Sequence, residues 1–146
     1  MIVTDLTKKI GEAMKAHDEV RLSTLRMLSS EFNYEKINKQ HELSEDEELA
    51  VVRKEAKKRK EAIEAFTKAG ASDKADRENS ELNILLEFLP PEISDNELEK
   101  IIDDSILKLS ATSMSDMGKV ISLVKEVTKG NVDGGKLAML VKNKLS

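Results

Sequence analysis

Cysteine is absent from this 146-residue chain. Disulfide bridges and thiolate chemistry are thereby excluded, and stability has to come from packing. Proline occurs only at the adjacent positions Pro90 and Pro91, so no helix-breaking ring falls inside any other stretch. Aromatic residues are scarce, with three Phe, one Tyr and no Trp, which argues against reading single-stranded nucleic acid by stacking on its bases. No uninterrupted apolar run approaches the roughly 20 residues that span a bilayer. The opening MIVTDLTKKIG also lacks a basic region followed by an apolar stretch. A cytoplasmic protein with no membrane role is expected.

What is present is aliphatic and charged: 36% of the residues are Asp, Glu, Lys or Arg. That balance, with no sustained period-two alternation, predicts an all-α protein whose charged faces point to water. A chain of this length can bury about 70% of its unfolded surface, enough for a real core. The charge is uneven. From Ser110 onward six lysines face three acidic residues, a net +3, which leaves −7 for the remainder of a chain whose total is −4.

Seven helices are predicted. Thr4 is expected to cap the first, which runs toward Lys15, and the second extends from near Asp18 to about Lys39 with Leu22, Leu25, Leu28 and Phe32 on one face. Ser44 and Glu47 spell a capping box that opens a third helix, ending at Gly70. A fourth, roughly Asp73 to Phe88, stops at the proline pair, taken as the boundary between an N-terminal helical domain (1–89) and a C-terminal three-helix domain (93–146). There Ser94 with Glu97 reads as a second capping box before the stripe Leu98, Ile101, Ile102 and Ile106. After a loop around SATSMS, a helix from about Asp116 to Thr128 should turn Val120, Leu123, Val124 and Val127 inward. The last helix starts after Asp133 and carries Leu137, Leu140, Val141 and Leu145.

The basic run within RKEAKKRKEAIEAF resembles a nucleic-acid patch, because Lys57, Lys58, Arg59 and Lys60 are consecutive. Consecutive helical residues point in directions about 100° apart, however. Glu55 with Arg59 and Glu64 with Lys68 are i,i+4 ion pairs, so a solvated helix face is expected.

The stretch GNVDGGKL carries the most chemistry. Gly130, Gly135 and Lys136 match the spacing of a phosphate-binding P-loop, but that motif follows a strand and needs Ser or Thr where Leu137 stands. The local reading is a helix turn helix, with Gly130 left-handed at one helix end and Asp133 capping the next. The functional reading adds an anion site, in which the amides near Gly134 and Gly135 and the flanking Lys129 and Lys136 meet a phosphate. Catalytic groups are thin. His17 and His41 are isolated, pairs such as Asp103 and Asp104 suit a wet surface, and no nucleophile has an evident base, so no catalytic residue, metal or cofactor is assigned.

Several runs resemble the GatB/YqeY family over nearly the whole chain: Arg21 ahead of Leu-Arg-Met-Leu at Leu25 to Leu28, Leu-Pro at Leu89 and Pro90 before a capped helix, and Asp-Met-Gly-Lys-Val at Asp116 to Val120 followed by Lys-Gly-x-x-Asp-Gly through Gly134. In that family a similar helical module is the tail of the B subunit of the amidotransferase acting on Glu- or Asp-charged transfer RNA. The tail contacts transfer RNA, while separate bodies do the chemistry. The resemblance implies a binding role for Gly118, Lys119, Val120, Lys125, Lys129, Gly130, Asp133 and Gly134, to which the anion-site reading adds Gly135 and Lys136. The expected function is a non-catalytic protein that binds transfer RNA, or an amidotransferase or aminoacyl-tRNA synthetase complex. The phosphate contacts are assigned to Lys119, Lys125, Lys129, Gly130, Gly134, Gly135 and Lys136. The alternatives are a protein interaction module with no RNA and, on the family name alone, an amidotransferase-related enzyme using glutamine as amide donor.

Overall fold

The computed structural model describes residues 1–146 and is all-α, as the composition and periodicity predict. Its helices are α1 (Ile2–Lys15), α2 (Glu19–Lys39), α3 (Glu45–Lys68), α4 (Ser72–Leu86), α5 (Asp95–Leu109), α6 (Met117–Val127) and α7 (Gly134–Leu145), with a 3-10 turn at Met114–Asp116 leading into α6. The chain divides into two compact units, Met1–Leu89 and Pro90–Ser146.

In the first unit, Leu6 and Ala13 of α1, Leu25, Leu28 and Phe32 of α2, Leu43, Val51 and Val52 around α3, and Leu85 of α4 form one buried cluster. Local chemistry starts two of these helices. Asp18 Oδ1 accepts from the Arg21 amide at 3.1 Å. The Ser44 box is complete, with Ser44 Oγ accepting from Glu47 N at 3.2 Å and Glu47 Oε1 accepting from Ser44 N at 3.0 Å. Thr4 does not cap α1. The helix begins at Ile2, and the Thr4 hydroxyl donates to the Met1 carbonyl at 2.8 Å. The exposed Val3 amide of that first turn is met instead by Glu48 Oε2 of α3 at 2.6 Å, a partner 45 residues away.

The basic run on α3 has the solvated face expected of it at Lys57, Lys58 and Lys60, which are exposed. The pairs Glu55 to Arg59 and Glu64 to Lys68 form, at 3.6 and 3.0 Å. Arg59, however, points between α3 and α4, where its side chain is 17% exposed and its Nε lies 2.8 Å from Glu81 Oε2 and 3.5 Å from Glu78 Oε2. Glu55 is buried beside it and also takes Lys58 Nζ at 3.2 Å. The reason is positional: Glu55 and Ala56 face the core, and Arg59, one turn on, is carried to the seam with α4.

In the second unit Leu98 and Ile102 of α5, Val120 and Val124 of α6, and Leu137, Val141 and Leu145 of α7 form the core. The predicted box at Ser94 is only half made. Ser94 Oγ accepts from Glu97 N at 3.3 Å, while the Glu97 carboxylate stays in solvent, where water competes for it. Val127 is not on the inner face of α6 but 56% exposed. The face turned inward runs through Met117, Val120, Ile121, Val124 and Thr128, and the buried Thr128 hydroxyl donates to the Val124 carbonyl at 2.8 Å.

Candidate nucleic-acid interface

The entry to α6 is set by Asp116, whose Oδ2 accepts from the amides of Thr112 at 3.0 Å and Ser113 at 3.4 Å. These two backbone donors hold its carboxyl below the usual aspartate range, and the nearby Lys119 charge adds to the effect. A lowered folded-state pKa means the contribution is fully present above the unfolded value and is lost as pH falls through the folded value. The Thr112 and Ser113 amide resonances are therefore expected to titrate with a midpoint below that of an ordinary aspartate. A midpoint at the ordinary value would show that the two bonds do not persist in solution.

The exit from α6 is a Schellman turn. Gly130 N donates to the Lys125 carbonyl at 2.8 Å and Lys129 N to the Glu126 carbonyl at 3.2 Å. Gly130 is left-handed as expected, with φ 76°, but Lys129 ahead of it is left-handed too, with φ 53°. Lys129 holds the position glycine usually takes, at a cost of about 1 kcal/mol for a side chain with a Cβ. The loop that follows is tied down by Asn131, whose Nδ2 donates to the Pro91 carbonyl at 2.5 Å. Asp133 then caps α7, its Oδ1 accepting from Lys136 N at 3.1 Å. The amides of Gly134 and Gly135 find no acceptor in the protein.

The cations of this unit fall into two groups. Lys136 Nζ is ion-paired with Asp95 at the start of α5, and that bond holds its ammonium above the usual lysine range. Lys144 is paired in the same way with Asp103 at 2.8 Å, which likewise raises it. Lys119, Lys125 and Lys129 are exposed and make no ion pair, and the same holds for Lys100 and Lys108 of α5 and Lys142 of α7. Lys119 and Lys125 are separated by about 120° around the helix and about 9 Å along it. Lys125 lies in the last turn of α6 and Lys129 follows it in the left-handed turn, beside Gly130 and just ahead of Gly134 and Gly135 in the chain. Lys125 and Lys129 thus lie next to the glycine turn along the chain, Lys119 stands on another side of α6, and Lys136 is engaged internally. A Cβ at Gly118 or Gly134 would meet nothing within 4 Å, so packing inside the unit does not require either glycine.

Sequence reasoning missed Asp95 and Asn131. Both residues looked local, Asp95 as an acid in a helix first turn and Asn131 as a turn former. Their contacts join residues 41 and 40 positions apart, which no periodicity reports. Of the two histidines, His17 is left-handed at the end of α1, and His41 Nδ1 lies 2.7 Å from the Glu42 carbonyl. No group of three or more His, Asp or Glu is placed to hold a metal ion, and no helix is long and apolar enough to cross a membrane.

The fold is that of a small all-helical protein of two units. The chain belongs to the YqeY family: the family model described as Yqey-like protein matches residues 3–145. It is 36% identical over 89 residues to an uncharacterized protein of Schizosaccharomyces pombe, a match covering 61% of this chain and 72% of that one. It is 31% identical over 116 residues to altered inheritance of mitochondria protein 41, mitochondrial, of Lachancea thermotolerans. That second match covers 77% of this chain and 62% of the relative, so the chain spans less than two thirds of its length.

Proposed function

We propose that the protein is a non-catalytic binding module whose C-terminal unit engages transfer RNA, alone or within an amidotransferase or aminoacyl-tRNA synthetase complex, through phosphate contacts. The observation that carries this reading is the placement of Lys125 and Lys129, exposed and unpaired, beside the Lys129–Gly130 turn. Two further amides, of Gly134 and Gly135, stand open at the start of α7. Unpaired lysines can exchange condensed counterions for protein contacts, and a glycine-lined turn lets a phosphate approach the backbone closely. The resemblance of the segment from Asp116 to Gly134 to the amidotransferase B-subunit tail supports the same assignment. Recognition by shape suits a chain with four aromatic residues.

The test is binding of labelled total transfer RNA across a salt series, beside the Lys125→Ala, Lys129→Ala double variant. We expect affinity to fall steeply with salt, and the variant to bind roughly tenfold more weakly with a salt slope lower by about two. Binding that ignores salt, or that the double variant leaves intact, would sink the reading. Tyr34 and Ile37 favour a second one: they lie three residues apart on α2, 69% and 76% exposed, an apolar pair suited to docking a protein. Salt-insensitive association with a protein partner, without RNA, is its signature.

A further inference from the structure

Lys136 is the one lysine among the proposed phosphate contacts that is already ion-paired. Its ammonium is bonded to Asp95, and the charges of Asp133 and Glu92 add to the hold on it. Lys125 and Lys129 have no such partners. We propose that Asp95 is an affinity-setting residue that competes with RNA phosphate for Lys136, an inference that rests on the RNA-binding reading above. A phosphate that approaches Lys136 meets an ammonium whose charge Asp95 already offsets, and gains its full attraction only by displacing that carboxylate. Lys125 and Lys129 therefore make the first contact, and Lys136 adds to it only for a ligand that presents a second phosphate at the start of α7. A sparse or misplaced anion gains nothing from Lys136, so the carboxylate selects for a ligand with phosphates spaced to reach both ends of the loop.

The competition is soft by construction. The side chains of Lys136 and Asp95 are 42% and 69% exposed, so solvent screens the pair and a phosphate can displace it. Asp95 does not cap its own helix, since Ser94 does that, so its removal leaves the start of α5 in place. Asp104, also exposed on α5 and without an ion pair, supplies a control with the same change in net charge.

The experiment compares transfer RNA binding at low salt by the full chain and its Asp95→Asn, Asp104→Asn, Lys136→Ala and Asp95→Asn/Lys136→Ala variants, with thermal unfolding of each to confirm folding. Asp95→Asn is expected to bind about 1.5-fold to fivefold more tightly than Asp104→Asn, the range of an exposed ion pair, and the gain should vanish when Lys136 is also removed. Equal affinities for Asp95→Asn and Asp104→Asn would overturn the inference while leaving RNA binding through Lys125 and Lys129 intact. A gain at Asp95→Asn that survives loss of Lys136 would overturn it too, by showing a general charge effect. Absence of binding by every variant would overturn both the inference and the RNA-binding reading.

Discussion

Arg59→Ala is expected to destabilise the N-terminal unit by about 3 kcal/mol, the range for breaking a buried ion pair by removing one partner. Arg59 holds three carboxylates: Glu81 at 2.8 Å, Glu78 at 3.5 Å and Glu55 at 3.6 Å. Glu55 is 3% exposed, so without Arg59 it keeps only Lys58, at 3.2 Å, as a counter-charge. Arg77 remains on Glu81 at 3.2 Å, but it is itself half-exposed and is screened by solvent. Had Arg59 been the simple i,i+4 partner of Glu55 that spacing suggests, its loss would cost only about 0.3–0.5 kcal/mol. Urea unfolding separates the two cases, since a loss under about 1 kcal/mol would mean that the seam between α3 and α4 is solvated and the network weak. Arg59→Lys should fall between, because an ammonium replaces the charge but not the planar fork.

Glu48→Ala should be nearly as costly, about 2–3 kcal/mol, because it combines loss of a charged hydrogen bond with a cavity. Glu48 is fully buried, and its Oε2 accepts from the Val3 amide at 2.6 Å, doing for α1 what a local cap does for α2 and α3. Its other oxygen, Oε1, has no hydrogen-bond partner, so the site holds this polar group at some expense. Glu48→Gln keeps the shape and one acceptor for Val3, and is expected to lose only about 1 kcal/mol. Hydrogen exchange gives a local reading alongside global unfolding. The amides of the first turn of α1 should lose protection in Glu48→Ala and largely keep it in Glu48→Gln. Equal protection in both variants and the parent would show that α1 does not depend on this contact.

Both residues mark where legibility stopped. Glu48 sits in the sequence ELSEDEEL as one of four acids in the first turn of α3, a pattern that fits the helix dipole without further explanation. Arg59 sits in a run of cations whose spacing to Glu55 fits a surface pair. In each case the local explanation is sufficient, so nothing along the chain signals the second role. Val127 failed differently: it continues the stripe of Val120 and Val124 at helical spacing, but the inward face of α6 is centred nearer Thr128, whose hydroxyl is satisfied by its own backbone.

What the sequence by itself determined is what depends on neighbours within about one helical turn: the seven helices, the caps at Ser44, Ser94 and Asp133, the left-handed Gly130, the core of the second unit and, in the first, Leu25, Leu28 and Phe32. These follow from backbone propensity, capping and periodicity, which act over three to four residues. The tertiary structure alone decided which charges are spent and which are free. Lys125 and Lys129 remain open while Lys136 and Lys144 are bound to Asp95 and Asp103, and Arg59 and Glu48 are drawn into the protein. Coulomb energy and hydrogen bonding depend on distance in space and on burial, and the partners on other helices lie 19 to 45 residues apart along the chain.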